Sequence, residues 1–597
     1  MWYNTLIENS ERITVMYVKK NSCKNGRILL TLTHGYRENG KIRQKNVETL
    51  GYLDELEKIY DDPIAHFREV ARQRMTKKAL EIEPIQLVLD PLAKIDQSEI
   101  DLKNLGYAVF EKLYHELGIH TFFQHHENRL NIDFNLNAIF RLLVYSRILD
   151  PGSKKQAYDQ QNQFFETMAP SLDSMYRSLD YFDRFNLDLQ SWLNEAVKKQ
   201  YGRNQEYAYY DVTNYYFEID EEDELRRRGP SKEHRLNPII QMGLLIDSQG
   251  LPLAYHLFPG NQSEKLSLNP LLNRLKEDYR LGRLVVVADK GLNCGDNIAC
   301  QLAQGNGYIY SQSIRGGDQE FKQYVLEQSG YRVNGENSKG KSRIYPKEIT
   351  FTDALGKKKK IRIDQKQVVF YSQDYADKAR YERSRTLAKA QKYLQSPSSL
   401  NRALAYSAAS YIKGLQYDKD REIVETKSML YLDEAKIREE EQFDGYYAIV
   451  TSELDKSDGE IIETYHGLWK IEETFKISKS DFKTRPIYVS LEAHIEAHFL
   501  TCFVALLLTR ILELRMNQAK LPAVDGCPKK DGKRVFSAFE LIDSLRKYSC
   551  SHIGENIYNF HYTDTVIRSM EQVFGVELNL KYRKRGEIKK FIAAMKK

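Results

Sequence analysis

The chain has 597 residues, which is too long for one hydrophobic core and predicts several domains. Hydrophobic residues make up 42% of it and charged residues 29%, a balance that is typical of a soluble globular protein. The net charge of +6, from 89 basic and 83 acidic residues, is small for this length, so charge alone does not identify a nucleic-acid-binding protein.

Cysteine usage and the apolar segments narrow the class further. The six cysteines are scattered without a CxxC pair, which indicates neither a zinc site nor a disulfide framework. Residues 1–20 lack the apolar segment of a signal peptide. The most apolar run, residues 499–508, is too short to span a bilayer and predicts a buried helix. We therefore expect a cytoplasmic protein without a membrane partner.

The first two predicted domains precede the core. Domain 1–85 alternates between polar and apolar residues over 13–52, with Asn-Gly breaks, which predicts a small β-meander followed by a helix. Its basic loops are either a DNA-contacting patch or a solvated face. Domain 86–200 has mostly helical periodicity, which predicts a helical domain.

A change of pattern at residue 206 marks the start of the core, for which we predict a first part at 201–314. Its predicted elements are strands 206–219, 239–247 and 251–258, helix 264–280, strand 284–289, helix 294–304 and strand 307–312. The order β-β-β-α-β-α-β is that of a ribonuclease H-like α/β fold.

Residues 315–445 interrupt this order and predict an inserted β-rich/α domain. They contain strand patterns at 347–351, 358–364 and 367–371 and helical patterns near 374–395 and 399–413. A strand at 446–451 and a helix at 459–482 resume the core in domain 446–515, in which a helix at 491–515 packs behind. The remainder, 516–597, is a mixed tail with a basic end, which is either a solvated helix or a DNA contact.

Three acids occupy positions in the core that suit metal binding. Asp211 lies in the middle of a strand rich in Tyr, Val and Thr, where a buried carboxylate is costly unless it is paired or holds a metal; the alternative is an edge strand facing water. Asp289 ends an apolar strand, and Glu472 lies in a periodic helix. Carboxylates on two strands and a helix can hold two divalent cations for phosphoryl transfer.

The Glu472 helix has two distinct stripes. A polar stripe contains Tyr465, Glu472, Lys476 and Lys479. An adjacent apolar stripe contains Leu468, Ile471, Phe475 and Phe482. The lysines suit phosphate positioning, although ordinary surface helices also place Glu four residues before Lys.

These residues resemble bacterial DDE transposases of the insertion-sequence group defined by a Tyr-Arg-Glu-Lys motif. Tyr465, Glu472 and Lys479 match that motif, whereas its Arg position is Leu468. The family places Thr two residues after its first Asp, Lys-Gly after its second, and a β-rich insertion between the second Asp and the Glu. The matching segments here are Asp211-Val212-Thr213, Asp289-Lys290-Gly291, and the loops Gly229-Pro230-Ser231-Lys232 and Pro259-Gly260-Asn261.

The resemblance covers residues 100–515 and implies a transposase that cleaves DNA at the terminal inverted repeats of its element and joins the 3′ ends to target DNA. Asp211, Asp289 and Glu472 would hold two Mg²⁺ ions, for which Mn²⁺ can substitute. The double-stranded DNA would contact Tyr465, Lys476, Lys479, Lys232, Thr213 and Lys290. A homodimer in the synaptic complex and association with the bacterial nucleoid are also implied.

Relatives hold a flipped base with an aromatic residue of the insertion, and the candidates here are Tyr371, Tyr375 and Tyr381. Two alternatives to the transposase stay open. One is a metal-dependent ribonuclease H-like nuclease that does not join strands. The other is a non-catalytic, transposase-derived DNA-binding protein, against which the three intact acids weigh.

Overall fold

The computed structural model describes most of the chain. The described residues are 7–9, 12–23, 26–38, 41–79, 92, 102–204, 206–230, 237–279, 282–333, 335, 337–353, 355–395, 408–413, 416–417, 423–424, 431–485, 487–524, 526–554 and 556–597. Contacts divide the chain into two compact units, Met1–Ala93 and Lys94–Lys597. The finer domain boundaries expected from the sequence stay predictions.

The first unit contains the predicted β-meander and helix. Its elements are β1 (Ile7–Asn9), β2 (Arg12–Ser22), β3 (Ile28–Glu38), β4 (Lys41–Tyr52), α1 (Leu53–Leu56) and α2 (Pro63–Ala79). The four strands pair in sequence order, all antiparallel. Leu30 and Leu32 of β3 and Leu56 of α1 are buried in its core. Arg27, one of the basic loop residues, is ion-paired with Asp54 and Glu55.

The second unit begins with the predicted helical region. Its elements are β5 (Leu102–Asn104), α3 (Tyr107–Glu116), α4 (Ile119–Glu127), α5 (Leu136–Leu149), α6 (Lys154–Asp159), α7 (Leu172–Arg184) and α8 (Asn186–Tyr201). Side-chain caps start three of these helices, since Asn135, Ser153 and Ser171 each accept a hydrogen bond from a backbone N–H three residues on.

The seven core elements predicted from the sequence are confirmed, with end points within a few residues. They are β6 (Tyr207–Tyr216), β7 (Ile239–Asp247), β8 (Pro252–Pro259), α9 (Leu268–Tyr279), β9 (Val285–Ala288), α10 (Gly295–Ala303) and β10 (Gly307–Ser311). β6, β7 and β8 are antiparallel, whereas β9 is parallel to both β6 and β10. This is a mixed sheet with α/β connections.

The insertion extends the core sheet. Its elements are α11 (Gln319–Leu326), β11 (Arg332–Val333), β12 (Ser338–Thr352), β13 (Lys358–Ser372), α12 (Gln373–Gln395), β14 (Ile412–Lys413), β15 (Gln416–Tyr417), β16 (Ile423–Val424), β17 (Tyr431–Leu432) and α13 (Glu434–Glu441). β13 pairs with β18 (Tyr446–Thr451), so the described residues form a sheet in the order β11-β12-β13-β18-β10-β9-β6-β7-β8.

Two predictions for the insertion were wrong in detail. The expected strands 358–364 and 367–371 are one strand, β13, because Gln365 and Lys366 continue the ladder opposite Tyr345 and Ile344. The helix expected near 399–413 falls largely outside the described residues, and its last two residues are strand β14. The helix expected at 374–395 is confirmed as α12.

The helix expected at 459–482 is interrupted. It comprises α14 (Asp458–His466), α15 (Trp469–Lys476) and a π-helical turn at Ile477–Asp481. A Cβ at Gly467 would lie 2.2 Å from the Tyr209 hydroxyl, so only glycine allows the segment to approach β6 this closely.

Behind the sheet lies the helix expected at 491–515, α16 (Glu492–Gln518). It is the one helix of the described chain that is long and apolar enough to cross a membrane by those criteria. However, 94% of its most apolar window is buried inside the protein, as predicted for residues 499–508.

The mixed tail packs onto the helical region. Its elements are β19 (Lys529–Lys530), β20 (Lys533–Arg534), α17 (Ala538–Lys547), β21 (Ser549–Gly554), β22 (Ile557–Phe560), α18 (Thr565–Phe574), β23 (Tyr582–Lys584) and α19 (Arg585–Met595). β21 pairs with β5, which lies more than 400 residues earlier in the chain. Arg583, which lies in the basic end of the tail, is buried and donates to the Glu577 carbonyl.

Candidate active site

Asp211 and Asp289 lie side by side on neighbouring strands. In the parallel β6–β9 ladder Tyr209 pairs with Val287, so two residues further on Asp211 is level with Asp289. Neighbouring strands are about 4.8 Å apart, and alternate residues of a strand point to the same face. Both carboxylates therefore point to the face on which Tyr209 and Val287 are buried.

Asp211 and Asp289 form a row of carboxylates across β6 and β9, and Ser311 extends this row to a third strand, β10. Tyr310 of β10 pairs with Ala288 of β9, which brings Ser311 level with Asp289. The Ser311 hydroxyl donates to Asp289 Oδ1 over 2.7 Å, and the Lys290 backbone N–H donates to the same oxygen over 2.7 Å. Asp289 Oδ2 accepts no hydrogen bond from the described residues, so one carboxylate oxygen is oriented and the other is available to a ligand.

Two tyrosines complete the surroundings of Asp289. The Tyr465 hydroxyl lies 3.5 Å from Asp289 Oδ1 and 2.8 Å from the Tyr447 hydroxyl. Burial raises the pKa of Tyr465 well above its ordinary value, and the Tyr447 phenol beside it acts in the same direction. Burial likewise raises the pKa of Tyr447. Both phenols stay protonated at neutral pH and can donate hydrogen bonds.

Glu472 lies on the helix that covers this row. The helical segment is fixed to β6 at two points, by the contact of Gly467 with Tyr209 and by a 3.0 Å hydrogen bond between the Tyr215 and Ser478 hydroxyls. Asp211 lies between those two tyrosines on the same face of β6. Glu472 lies between the two fixed points on the helix, is exposed, and contacts no hydrogen-bond donor among the described residues through its carboxylate.

The polar and apolar stripes of this helix are largely as predicted. Ile471, Phe475 and Phe482 are buried, and Lys476 is exposed. The Lys479 ammonium lies 5.6 Å from the centre of the Tyr215 ring, where a cation interacts favourably with the aromatic face. Tyr465 is 8% exposed and points to Asp289.

The donor set suits a hard divalent cation, which prefers carboxylate oxygens. Asp211 and Asp289 present two carboxylates in one row, and Glu472 presents a third from the covering helix. Among the described residues no three His, Cys, Asp or Glu side chains are close enough to form a metal-binding group. The chemistry of these three carboxylates fits such an ion, and they come from two neighbouring strands and the helix that covers them.

Comparison with known proteins decides the family. Residues 18–84 match the model of the IS1634 family transposase N-terminal domain, and residues 217–508 match the model of the transposase DDE domain. The chain is an insertion-sequence DDE transposase of the IS1634 family. Asp289 and Glu472 lie inside the DDE match, and Asp211 precedes it.

Other comparisons add little to this family assignment. No curated protein matches the transposase. Among solved structures, it is similar to a chain described as "Cryo-EM structure of piggyBac transposase synaptic complex with hairpin DNA (SNHP)". The identity is 8% and the TM-score 0.34, over 87% of the transposase and 80% of that chain.

The predicted DNA contacts of the transposase fall into different environments. Lys290 and Lys476 are exposed beside the row. Thr213 is 4% exposed, so a contact between its side chain and DNA stays a prediction. Lys232 lies outside the described residues. Leu468, at the motif's Arg position, is half-buried and packs against the core, which agrees with an apolar role.

A cavity of about 490 Å³ lies next to Asp289, between the core and helix α12 of the insertion. Lys290, Ser311 and Tyr465 line it on the core side, and Tyr375 and Lys378 of α12 line it on the other. The sequence analysis missed Ser311 and Tyr447 in this neighbourhood. The register of β10 and β18 against β9 brings them to Asp289, and their spacing along the chain carries no signal of it.

Proposed function

We propose that this transposase cleaves DNA at the terminal inverted repeats of its insertion sequence and joins the freed 3′ ends to target DNA by metal-dependent phosphoryl transfer. The observation that supports this most is the level placement of Asp211 and Asp289, with Glu472 on the helix above them. In the proposal these three carboxylates hold two Mg²⁺ ions, which Mn²⁺ can replace.

Bound there, divalent cations supply activation of water or a 3′-hydroxyl and stabilisation of the leaving oxygen. Ser311 and the Lys290 N–H hold one oxygen of Asp289, so that the other faces the ligand. The Tyr465 ring is buried and its hydroxyl points at Asp289 Oδ1, so it helps to hold that oxygen in place. Protonated phenols add no negative charge where a phosphate must approach.

The DNA partner is proposed from the cations around this row. Lys290, Lys476 and Lys479 place positive charge on the strand and helix that carry Asp289 and Glu472, where a backbone phosphate would be attracted. A lysine acts as a point charge without the two-pronged geometry of Arg, so these residues position DNA rather than read its sequence. Double-stranded DNA, a homodimer in the synaptic complex and a cytoplasmic, nucleoid-associated location complete the proposal.

The test compares charge-removing variants of the three acids. Asp211→Asn, Asp289→Asn and Glu472→Gln should each abolish cleavage of a DNA substrate carrying the element end, whereas binding to that DNA should stay within about threefold, because phosphate contacts are kept. Glu463→Gln, on the exposed side of α14, is the matched control and should cleave normally. Normal cleavage by one of the three variants removes that residue from the site.

A second assay separates the transposase from the nuclease alternative. Supplied with a pre-cleaved end bearing a 3′-hydroxyl and a plasmid target, the protein should form a covalently joined product in Mg²⁺. Cleavage without any joined product would favour a nuclease without strand transfer. Binding without cleavage or joining in either Mg²⁺ or Mn²⁺ would favour the non-catalytic DNA-binding protein.

A further inference from the structure

Three cationic or potentially cationic side chains are buried together away from the carboxylate row. Arg147 lies near the end of α5, Lys154 begins α6, and His498 lies in the first half of α16. They are only 5%, 5% and 4% exposed, respectively. Lys and Arg are almost never buried to this degree unless they are paired.

Hydrogen bonds define the protonation of this cluster. The Lys154 ammonium donates to His498 Nδ1 over 2.8 Å, so the imidazole accepts at that nitrogen. Its proton is therefore on Nε2, which lies 3.8 Å from the Cys502 sulfur. Burial, followed by the charges of Lys154 and Arg147, lowers the pKa of His498 well below its ordinary value, which agrees with a neutral ring.

Arg147 and Lys154 keep unused donors. Arg147 donates to the Phe482 carbonyl over 3.0 Å and to the Gly152 carbonyl over 2.9 Å. Its Nε is buried and has no acceptor among the residues that the structure describes. His498 is the only acceptor that Lys154 contacts within the described chain, so further ammonium protons are unused.

The cluster lacks a compensating charge. In the part of the chain that the structure describes, no carboxylate forms an ion pair with Arg147, Lys154 or His498. Burial and the Arg147 charge lower the pKa of Lys154 to about 7. A buried charge without a partner is strongly unfavourable. An anion at this point would supply the missing charge and acceptors together.

A cavity of about 20 Å³ lies among these residues and has room for an oxygen atom, for which roughly 10–15 Å³ suffices. Arg147, Lys154 and His498 line it, together with Tyr176 and Tyr488. Because both tyrosines are exposed, at 36% and 67%, the cavity opens to the surface beside them. An oxyanion can therefore insert one oxygen and keep the rest of the group at the opening.

We propose that the Arg147–Lys154–His498 cluster is a binding site for a single phosphate group, either a phosphodiester of bound DNA or free phosphate. The site is separate from the carboxylate row and does not depend on the proposed reaction. Arg147 also holds the carbonyl of Phe482, which directly follows the π-helical turn that carries Lys479. A phosphate at this site would lie beyond the Glu472 helix, at the end of that segment.

The first test measures thermal unfolding of the full chain in inorganic phosphate and in chloride of equal ionic strength. Phosphate should raise the Tm of the wild type by several degrees at millimolar concentrations. Lys154→Met and Lys154→Gln should lose that increase, whereas Lys155→Met, which removes the neighbouring exposed lysine, should keep it.

The two Lys154 variants separate a phosphate site from a merely structural hydrogen bond. Gln can still donate to His498 Nδ1, so a structural role predicts that Lys154→Gln resembles the wild type in both solutions. Equal Tm values for the wild type in phosphate and chloride, or an unchanged phosphate response in Lys154→Gln, would overturn the proposal.

The second test identifies the source of the phosphate by measuring affinity for DNA over a range of salt concentrations. If the group belongs to DNA, Lys154→Gln should weaken binding about 10-fold and lower the slope of log K against log salt by about 1, with no change for Lys155→Met. If the group is free phosphate, the Tm response should be lost in Lys154→Gln while DNA affinity and slope stay those of the wild type.

Discussion

At the scale of single residues, the orientation of Asp289 depends on Ser311, which lies on the neighbouring strand β10. Ser311 and the Lys290 N–H both donate to Oδ1, and both distances are 2.7 Å. Hydrogen bonds to a charged group contribute about 1.5–3 kcal/mol each, which is enough to fix which oxygen faces a ligand. Ser311 is thus a positioning residue in the proposed reaction.

Loss of the Ser311 hydroxyl should slow cleavage without abolishing it. We expect Ser311→Ala to lower the cleavage rate by about 10- to 100-fold, in line with that hydrogen-bond energy, and to raise the Mg²⁺ concentration at half-maximal rate. Ser311→Thr should restore the metal dependence. Ser313→Ala, an exposed serine two residues on, is the control. An unchanged Mg²⁺ titration for Ser311→Ala would contradict the positioning role.

Another residue-scale prediction concerns Glu496 on α16. Burial, followed by the nearby Asp183 and Glu492 carboxylates, raises the pKa of Glu496 to about 7, although Arg274 and the Asn186 amide act in the opposite direction. A group with a raised pKa in the folded state binds its proton more tightly there, so its contribution to stability is complete below the unfolded pKa near 4.5 and is lost as the pH rises through 7.

Glu496→Gln should therefore remove part of the pH dependence of unfolding. The free energy of unfolding of the wild type should fall, relative to that of the variant, by up to about 1.4 kcal/mol per pH unit between pH 5 and 7. Urea unfolding at pH 5, 7 and 8.5 measures this difference. Glu195→Gln, an exposed acid on α8, should parallel the wild type. Parallel curves for Glu496→Gln and wild type would disprove the assignment.

At the scale of elements, α12 of the insertion faces the cavity beside Asp289. Of the three candidate aromatic residues, Tyr375 lines the cavity and is 44% exposed. Tyr371 is half-buried and donates to Gln373, and Tyr381 is 63% exposed but does not line the cavity. The structure therefore favours Tyr375 as the residue that would stack on an unpaired base.

Tyr375→Ala should reduce strand opening at the element end, because base–aromatic stacking contributes about 1–3 kcal/mol. The measurement is the fluorescence of 2-aminopurine placed at the end of the element, which rises when the base unstacks. Tyr381→Ala is the matched exposed control on the same helix. Equal fluorescence for Tyr375→Ala and wild type would exclude this residue from base stacking.

A comparison of the elements with the sequence shows which of them could be predicted from local patterns. Alternating patterns and apolar runs were sufficient to predict β6 to β10, because each of these strands has a buried face whose apolar residues are visible in its own sequence. The polar pair Gln365-Lys366 looked like a break, yet β13 runs through it because β12 supplies partners along its whole length. The interruption at Gly467 depends on contact with Tyr209, which no local pattern contains.

In the candidate site, too, some residues could be predicted from the sequence and others could not. Asp211, Asp289 and Glu472 could be selected from the sequence because strand and helix patterns surround them. Ser311 and Tyr447 could not, since only the parallel register of β9 and β10 and the pairing of β18 bring them close. Leu468, which was predicted on the apolar stripe, is half-buried and packs against the core at the residue where the helix begins again.

At the scale of the whole molecule, the tail joins the region before the core. β21 pairs with β5, and the Asn104 amide donates to the Leu545 carbonyl over 2.9 Å. A Cβ at Gly106 would lie 2.1 Å from the same carbonyl. The buried face of α16 is also covered by the tail, since the Ala538 N–H donates to Glu513 at 3.0 Å. The tail is therefore a structural part of the second unit.

Removing residues 538–597 should abolish folding rather than DNA binding alone. We expect the shortened chain to be insoluble or to show no cooperative thermal transition, because α16 and β5 would lose their partners. Lys581→Gln with Lys589→Gln, both on exposed positions, should fold normally and serves as the control for charge. A soluble, cooperatively unfolding shortened protein would show that the tail is dispensable for the fold.

The pairing of β13 with β18 has a consequence for protein engineering. The insertion is joined to the strand next to β10 by a continuous backbone ladder, with Gln367 opposite Val450 and Val368 opposite Ile449. It cannot swing as a separate arm without breaking that ladder. A chimaera that exchanges the insertion between relatives must therefore take β13 and β18 from the same parent. A junction between the two parents must not separate these paired strands.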